Sequence, residues 1–326
     1  MTLPLVLDEV RVLELLDRID IQASLRRMFA GLAAGTATQP PQLLVPFPQD
    51  VGDFISYLGV LADAQVFGVK LSPYIVRPGR PLITAWSLLM SMVSGQPLLL
   101  CDSARLTAER TAATTALAVD LLAPADAAML VVIGTGAIGQ AHLRHATGLR
   151  RWRDIRVHSR HLAQASAESR AALRALDPRV SLHGDLAPTL RGADVVLLCT
   201  SSGVPVIDPQ TLDKPALITS VSTNAVHAHE VPPRSLAAMD VYCDYRATTP
   251  GSAGEMLIAT QAHGWSADAI RGDLPGLVTG ATQRPDPLRH TFFRSIGLGL
   301  EDVVIAHDLY RLLGDEKSAG AQQTIV

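Results

Sequence analysis

The chain has 326 residues, which is long for one core and comfortable for two domains. Apolar residues make up 48% and charged residues 18%, ample for packed interiors, and with only 4% aromatics those interiors must be aliphatic. A net charge of −3 gives no electrostatic basis for a nucleic acid or an anionic membrane as partner.

Asp8 is placed to cap a first helix. Apolar residues at helical spacing (Leu15, Leu16, Ile19, Leu25, Phe29) predict one helix over 13–32, stopped by Gly35. Short apolar runs at 43–47, 54–60, 67–71, 83–93 and 98–101, punctuated by Gly, Pro and Asp, predict a mostly antiparallel sheet. The uncharged stretch 81–101 is long enough to span a bilayer. However, Ser94-Gly95-Gln96-Pro97 interrupts it with turn chemistry, so two buried strands fit better and no membrane span is expected.

At Thr107 the texture changes. An Ala-rich helix is predicted over 107–122, capped at Thr107 and stopped by Pro124. Strands at 129–133, 155–158, 180–183, 195–200, 217–222 and 241–244 then alternate with helices, the clearest at 138–148 and 163–176, a pattern typical of α/β folds. Residues 300–313 predict an amphipathic helix with Glu301 and Asp302 in its first turn, where the helix dipole favours acids. From Gly314 the polar tail is expected to be loose. Cys101, Cys199 and Cys243 form no CxxC pair and the N-terminus lacks a signal-peptide pattern, so a reducing compartment, the cytoplasm, is expected.

The strongest local signal is Leu130-Val131-Val132-Ile133-Gly134-Thr135-Gly136-Ala137-Ile138-Gly139, a β-branched run flowing into G-x-G-x-x-G and a helix. Gly134 permits the tight turn, Gly136 lets backbone approach a pyrophosphate, and Gly139 lets helix pack on strand. The helix N-terminus offers its free N–H groups to the phosphates. A nicotinamide dinucleotide is the implied cofactor. An acid about 20 residues later would hold the ribose 2′-hydroxyl of NAD. The region Arg156-Val157-His158-Ser159-Arg160-His161 has none, and Ser159 with Arg160 suits a 2′-phosphate. NADP(H) is therefore favoured, with NAD(H) as the alternative. His227, His229 and Glu230, and separately His142 and His145, lack third and fourth ligands at metal spacing, so no metal site is expected. Ser201-Ser202-Gly203 lacks the GxSxG pattern of a nucleophile elbow.

Leu106-Thr107-Ala108-Glu109-Arg110-Thr111-Ala112-Ala113, followed by the Gly-rich turn, resembles the ornithine cyclodeaminase/mu-crystallin family. Gly68-Val69-Lys70 resembles its GxK strand, and Ser295-Ile296-Gly297-Leu298-Gly299-Leu300-Glu301-Asp302 its C-terminal SxGxxxED segment. The resemblance implies an α/β homodimer. A Rossmann-type parallel-sheet domain (116–298) would bind the cofactor. An α+β domain (1–115, completed by 299–326) would bind substrate and dimerise. It also implies that Lys70 relays a proton or binds a carboxylate and that Arg110 grips the substrate carboxylate. Thr111, Thr200, Ser201, Val221 and Ser222 would line the cofactor, and Gly297 would approach the nicotinamide.

Two positions depart from the family pattern. Gln42 falls where many members place a carboxylate-binding arginine, with Arg77 or Arg80 as candidates to compensate. Asn224 falls near the aspartate with which cyclodeaminases engage a distal amine, so ring closure loses its base. The resulting expectation is an NAD(P)H-dependent reductase or dehydrogenase acting on a small α-imino or α-amino acid, for example a cyclic ketimine such as a pyrroline-2-carboxylate. The alternatives are an ornithine-type cyclodeaminase with bound NAD and a mu-crystallin-like small-ligand binding protein, the latter kept open by Gln42.

Overall fold

The computed structural model describes residues 3–79, 81–223 and 227–323. The chain divides into two compact units, Met1–Arg110 with Leu298–Val326, and Thr111–Gly297.

The first unit opens with β1 (Leu5–Leu7) and two helices, α1 (Glu9–Leu16) and α2 (Ile21–Ala34). The single helix expected over 13–32 is thus corrected. Asp20 takes the Ala23 N–H on its carboxylate and starts a new helix, as Asp8 does for α1 through Arg11 N–H. Gly35 ends α2 in the left-handed conformation (φ 77°). The sheet then follows: β2 (Ala37–Thr38), β3 (Leu43–Pro46), β4 (Gly52–Leu61), β5 (Val66–Ile75), β6 (Leu82–Ile83), β7 (Trp86–Ser91) and β8 (Pro97–Asp102). Its order is β1-β8-β7-β5-β4-β2, with β3 on β4 and β6 on β5, and only β1 and β8 run parallel.

The C-terminal helix (Gly299–Gln323) packs on this sheet. Contact is close enough to require glycine: a Cβ on Gly59 would lie 2.9 Å from the Leu300 Cα, and one on Gly299 2.3 Å from the Leu58 carbonyl oxygen. The helix runs on past Gly314 instead of loosening there, and Glu316 pairs with Arg11 (2.6 Å) and Arg18 near the start of the chain.

Helix α3 (Ala104–Leu122) carries the chain from the first unit into the second. It begins three residues before the expected Thr107 cap because Asp102 accepts the Ala104 N–H. Inside the helix, the Thr107 hydroxyl donates to the Ser103 carbonyl.

The second unit alternates β9 (Met129–Ile133), α4 (Ala137–Ala146), β10 (Asp154–His158), α5 (Ala167–Ala175), β11 (Val180–His183), α6 (Leu186–Leu190), β12 (Val195–Leu198), β13 (Leu217–Ser220), β14 (Asp240–Cys243), α7 (Gly254–Ala262), β15 (Ile270–Asp273) and β16 (Thr291–Arg294). All eight strands are parallel, ordered β11-β10-β9-β12-β13-β16-β14-β15. The chain order reverses beside β9, the switch point at which such sheets bind ligands. The buried, almost wholly apolar strands β9 and β12 fit a sheet covered on both faces. Strands β15 and β16 have no counterpart in the sequence reading, and β16 inserts between β13 and β14. Among the described residues no helix is long and apolar enough to cross a membrane.

Candidate functional site

In the first unit, register places Tyr57 opposite Lys70 and Gly59 opposite Gly68, and the pleat turns all four toward the C-terminal helix. Lys70 is 1% exposed and Arg110 3%. A buried cation is tolerable only beside an anion. The Lys70 Nζ lies 2.9 Å from Asp302 Oδ2, 3.3 Å from the Thr107 hydroxyl and 4.2 Å from the centre of the Tyr57 ring. The Arg110 Nη1 donates to Glu301 Oε2 at 2.8 Å, and its Nε lies 3.3 Å from Asp302 Oδ1. Two cations and two carboxylates thus form one buried, formally neutral cluster.

Burial, then the neighbouring Arg110 charge, pulls the Lys70 ammonium down to about 8, with Asp302 opposing. Burial also pulls on the Arg110 guanidinium, but Asp302 and Glu301 more than reverse it, so it stays charged. Burial pushes the Tyr57 phenol up to about 12, so it stays protonated. The cluster therefore joins a proton donor that exchanges near neutral pH to a permanent cation. Lysine in the unfolded chain titrates at 10.5, so between about pH 8 and 10.5 the unfolded state binds more protons. Lys70's contribution to stability rises with pH across that window. Gln42, just before β3, holds its Oε1 buried without a hydrogen-bond partner among the described residues. Such an orphaned acceptor suits a donor from outside the chain.

In the second unit, the turn from β9 to α4 discriminates among its glycines. Gly134 has φ 122°, and its Cβ would lie 2.4 Å from the Cys199 carbonyl oxygen. A Cβ on Gly139 would lie 2.1 Å from the Gly134 carbonyl oxygen. Both are fixed by the chain's own packing. A Cβ on Gly136 meets nothing within 4 Å, and no side chain caps α4 there. The space beside Gly136 is thus left to an external group, and the uncapped N–H groups suit a phosphate.

This turn forms one wall of a groove of about 420 Å³. The groove gathers Gly134, Thr135, Gly136, Ala137, Ile138, Ser159, Arg160, Thr200 and Ser201, all of them expected cofactor residues. Among the described residues no carboxylate lines it; burial pushes the lining His158 imidazole down, and Arg160 stands just past the end of β10, its Nε donating to His161 Nε2 at 2.9 Å. The residues present fit a dinucleotide.

The other expected residues lie elsewhere. Gly139 packs beneath the turn. Thr111 sits on α3, its carbonyl taking the Thr115 hydroxyl. The Val221 and Ser222 N–H groups donate to Glu230 at 3.1 and 3.2 Å. Gly297 (φ 77°) donates its N–H to Asp244 at 3.0 Å. Asn224 and Arg80 fall outside the described residues.

Glu230 is a residue that sequence reasoning missed. Fully buried, it accepts from the Thr200 N–H (2.9 Å) and hydroxyl (2.6 Å) and the Ser220 hydroxyl (2.8 Å), besides Val221 and Ser222. It fixes the ends of β12 and β13, next to the groove. Asp244 does the same for Ser295, Ile296 and Gly297. Glu301 and Asp302 were visible in sequence as first-turn acids and as the end of the SxGxxxED segment, with no partner assigned to either. The signal that finds them is the rule that Lys70, in an apolar strand, needs a buried anion. His142 bonds the Ile138 carbonyl and the Thr115 hydroxyl, a structural role. Among the described residues no group of three His, Cys, Asp or Glu is arranged to hold a metal.

The chain matches the ornithine cyclodeaminase/mu-crystallin family over residues 4–316. It is 61% identical over 309 residues to the NAD(P)H-dependent anabolic L-arginine dehydrogenase of Pseudomonas aeruginosa, covering 95% of this chain and 97% of that one. Its fold matches the delta(1)-pyrroline-2-carboxylate reductase of Thermococcus litoralis, solved with NADH and L-proline (TM-score 0.86, 21% identity, 96% and 98% of the two chains). It also matches a probable ornithine cyclodeaminase of Bordetella pertussis Tohama I (TM-score 0.86, 25% identity, 97% and 99%).

The glycine geometry makes a specific prediction. Gly136→Val folds with an unfolding midpoint near wild type but binds dinucleotide at least ~10-fold more weakly, because its side chain fills the phosphate space. Gly139→Ala loses stability instead. Isothermal titration with NADPH and NADH alongside thermal melts separates the two, and undiminished binding by Gly136→Val refutes the assignment.

Proposed function

The chain belongs to the ornithine cyclodeaminase/mu-crystallin family, and we propose that within it this protein is an NAD(P)H-dependent dehydrogenase that forms or oxidises an α-amino acid with a basic side chain, L-arginine in the first instance. The observation that carries the reading is the buried Lys70–Asp302–Arg110–Glu301 cluster, which couples a proton donor of pKa about 8 to a fixed cation. The relative at 61% identity, named for arginine and NAD(P)H, supports the substrate and the cofactor.

The chemistry is balanced by one hydride and one proton. A reduced nicotinamide dinucleotide, which Thr135, Gly136, Ser159 and Arg160 would hold, would supply when bound a hydride for the carbon of a C=N bond. Lys70, or a water it holds, supplies the proton to the nitrogen, and the amino acid results. Arg110 suits the α-carboxylate, which its planar fork matches. Tyr57, protonated throughout, gives Lys70 an aromatic face that keeps water from one side. We further assign NADP(H) as the preferred cofactor, because among the described residues no carboxylate lines the groove and Ser159 and Arg160 stand just past the end of β10. A cytoplasmic site fits three cysteines that all remain free and buried thiols.

A homodimer is proposed from the outer face of the first unit's sheet, where Val6, Leu58, Phe67, Leu71 and Trp86 are all exposed. Contiguous apolar surface of this kind on a soluble chain marks an interface. Sedimentation equilibrium is expected to give twice the chain mass, and a monomer at micromolar concentration counts against it.

The function is tested by oxidation of NADPH and NADH against 2-oxo acids plus ammonium, including the guanidino 2-oxo acid corresponding to arginine. Stoichiometric NADPH oxidation with that substrate is expected, and Arg160→Ala is expected to lower the NADPH-to-NADH preference ~10-fold. No oxidation with any member of the panel sinks the reading. Ammonia release without a change in nicotinamide absorbance points instead to cyclodeamination.

The Lys70 ammonium sets the pH dependence. It is the proton donor in the reductive direction, so kcat/KM for reduction falls as pH rises through about 8, while oxidation of the amino acid rises over the same interval. Lys70→Met is expected to remove that inflection, and an unchanged profile in the variant excludes Lys70 as the donor.

A further inference from the structure

The two cations of the buried cluster, Lys70 and Arg110, explain one end of the proposed substrate. They leave the side chain unread, and a basic side chain needs an anion. On the first unit's sheet one carboxylate stands unused. Asp53 lies on β4, four residues before Tyr57, on the same face, with Tyr74 and Pro46 as its cross-strand neighbours. Neither neighbour carries a charge, and no hydrogen bond or ion pair engages the Asp53 carboxylate among the described residues. It is half-buried.

Between Asp53 and the cluster lies a second unused group. Gln42 immediately precedes β3, whose register sets Leu43 opposite Ser56, so Gln42 stands level with Tyr57. Its Oε1 is the orphaned acceptor described above. An acceptor with no donor costs free energy unless a ligand supplies one. The Tyr57 phenol links the two regions electrostatically, since it feels the charges of Arg110, Asp302, Asp53 and Glu301.

We infer that Asp53, together with the Gln42 carbonyl oxygen, selects substrates that carry a cationic, multiply donating side-chain terminus such as a guanidinium. The spacing is suitable. Asp53 and Tyr57 stand ~13 Å apart along the strand at ~3.3 Å per residue. An extended arginine carries its guanidinium carbon ~6 Å beyond Cα at ordinary bond lengths, and the lengths of the Asp53 and Lys70 side chains themselves would take up the remainder. The chemistry is also suitable. A guanidinium presents five N–H donors, enough to engage a carboxylate in bidentate fashion and still satisfy an amide oxygen.

This inference rests on the dehydrogenase reading, and its test separates the two. Wild type and Asp53→Asn are compared for oxidation of L-arginine and of L-norleucine, whose chain is similar but neutral. The wild-type arginine-to-norleucine ratio of kcat/KM is expected to be large. In Asp53→Asn it falls ~10- to 100-fold, chiefly through the KM for arginine, the loss typical of a charged hydrogen-bonding partner. Asp53→Glu is expected to retain most of the preference, which excludes a folding defect as the cause, and Asp53→Lys shifts preference toward L-glutamate. A wild type that oxidises norleucine as well as arginine, or neither, overturns the substrate reading before any variant is made. A wild type that prefers arginine while Asp53→Asn keeps the same ratio overturns the role of Asp53 alone.

Discussion

The burial of Lys70 against Asp302 constrains the first unit more than any other contact. Removing an ammonium from water costs several kcal/mol, recovered only when partners are held in good geometry. Here the partner comes from the other end of the chain. Asp302 and Glu301 sit in the first turn of the C-terminal helix, and that turn must press onto β4 and β5 to reach Lys70 and Arg110. This is why the unit is discontinuous in sequence. It is also why Gly59, Gly68 and Gly299 lie where the helix meets the sheet, since a Cβ at any of them would collide with backbone. The Gln39 side chain then accepts the Leu300 N–H at 3.0 Å, taking one of the helix's unpaired N–H groups. Charge burial, close packing and helix capping all depend on the same seating.

The second unit solves a related problem chiefly with buried carboxylates. A parallel sheet ends in loops whose backbone N–H groups have lost their ladder partners. Glu230 collects these at the ends of β12 and β13, accepting five hydrogen bonds without a cation among them. Asp244 collects the Ile296 and Gly297 N–H groups after β16. Arg294, wholly buried, pairs with Glu255 at 2.8 Å and donates to the Ser222 carbonyl. Loops tied in this way arrive pre-organised at a ligand, which lowers the ordering cost of binding. A static scaffold suits hydride transfer, where about 3–3.5 Å must separate donor and acceptor carbons.

The legibility of these features follows their range in sequence. The phosphate-binding turn was readable because strand, glycines and helix are contiguous, and each glycine's role is dictated within a few residues. The six strands expected from 129 to 244 correspond to β9–β14, with ends shifted by one or two residues. Caps were read less well: Asp20 and Asp102 start helices that apolar periodicity alone placed elsewhere. Strand β16 was hidden because Thr-Phe-Phe-Arg is too short to show a period, and its place in the sheet is fixed by pairing partners far away in the chain. Glu230 was concealed beside two histidines that drew attention to metals. The Lys70–Asp302 pair joins residues 232 positions apart, and only the energetic cost of a buried lysine hints at it from sequence.

The glutamine at position 42, where the family resemblance leads one to expect an arginine, bears on formal charge. Lys70 and Arg110 against Glu301 and Asp302 sum to zero, and Asp53 adds one carboxylate on the same face of the sheet. A third cation at position 42 would offset that carboxylate and suit amino acids whose side chains are uncharged. An amide leaves the carboxylate uncompensated from that position and adds an acceptor where an arginine would have added donors. On the proposed reading, such an arrangement would favour a ligand that is a zwitterion at one end and a cation at the other. On that reading, position 42 would tune side-chain preference through its charge, and the carboxylate grip would fall to Lys70 and Arg110.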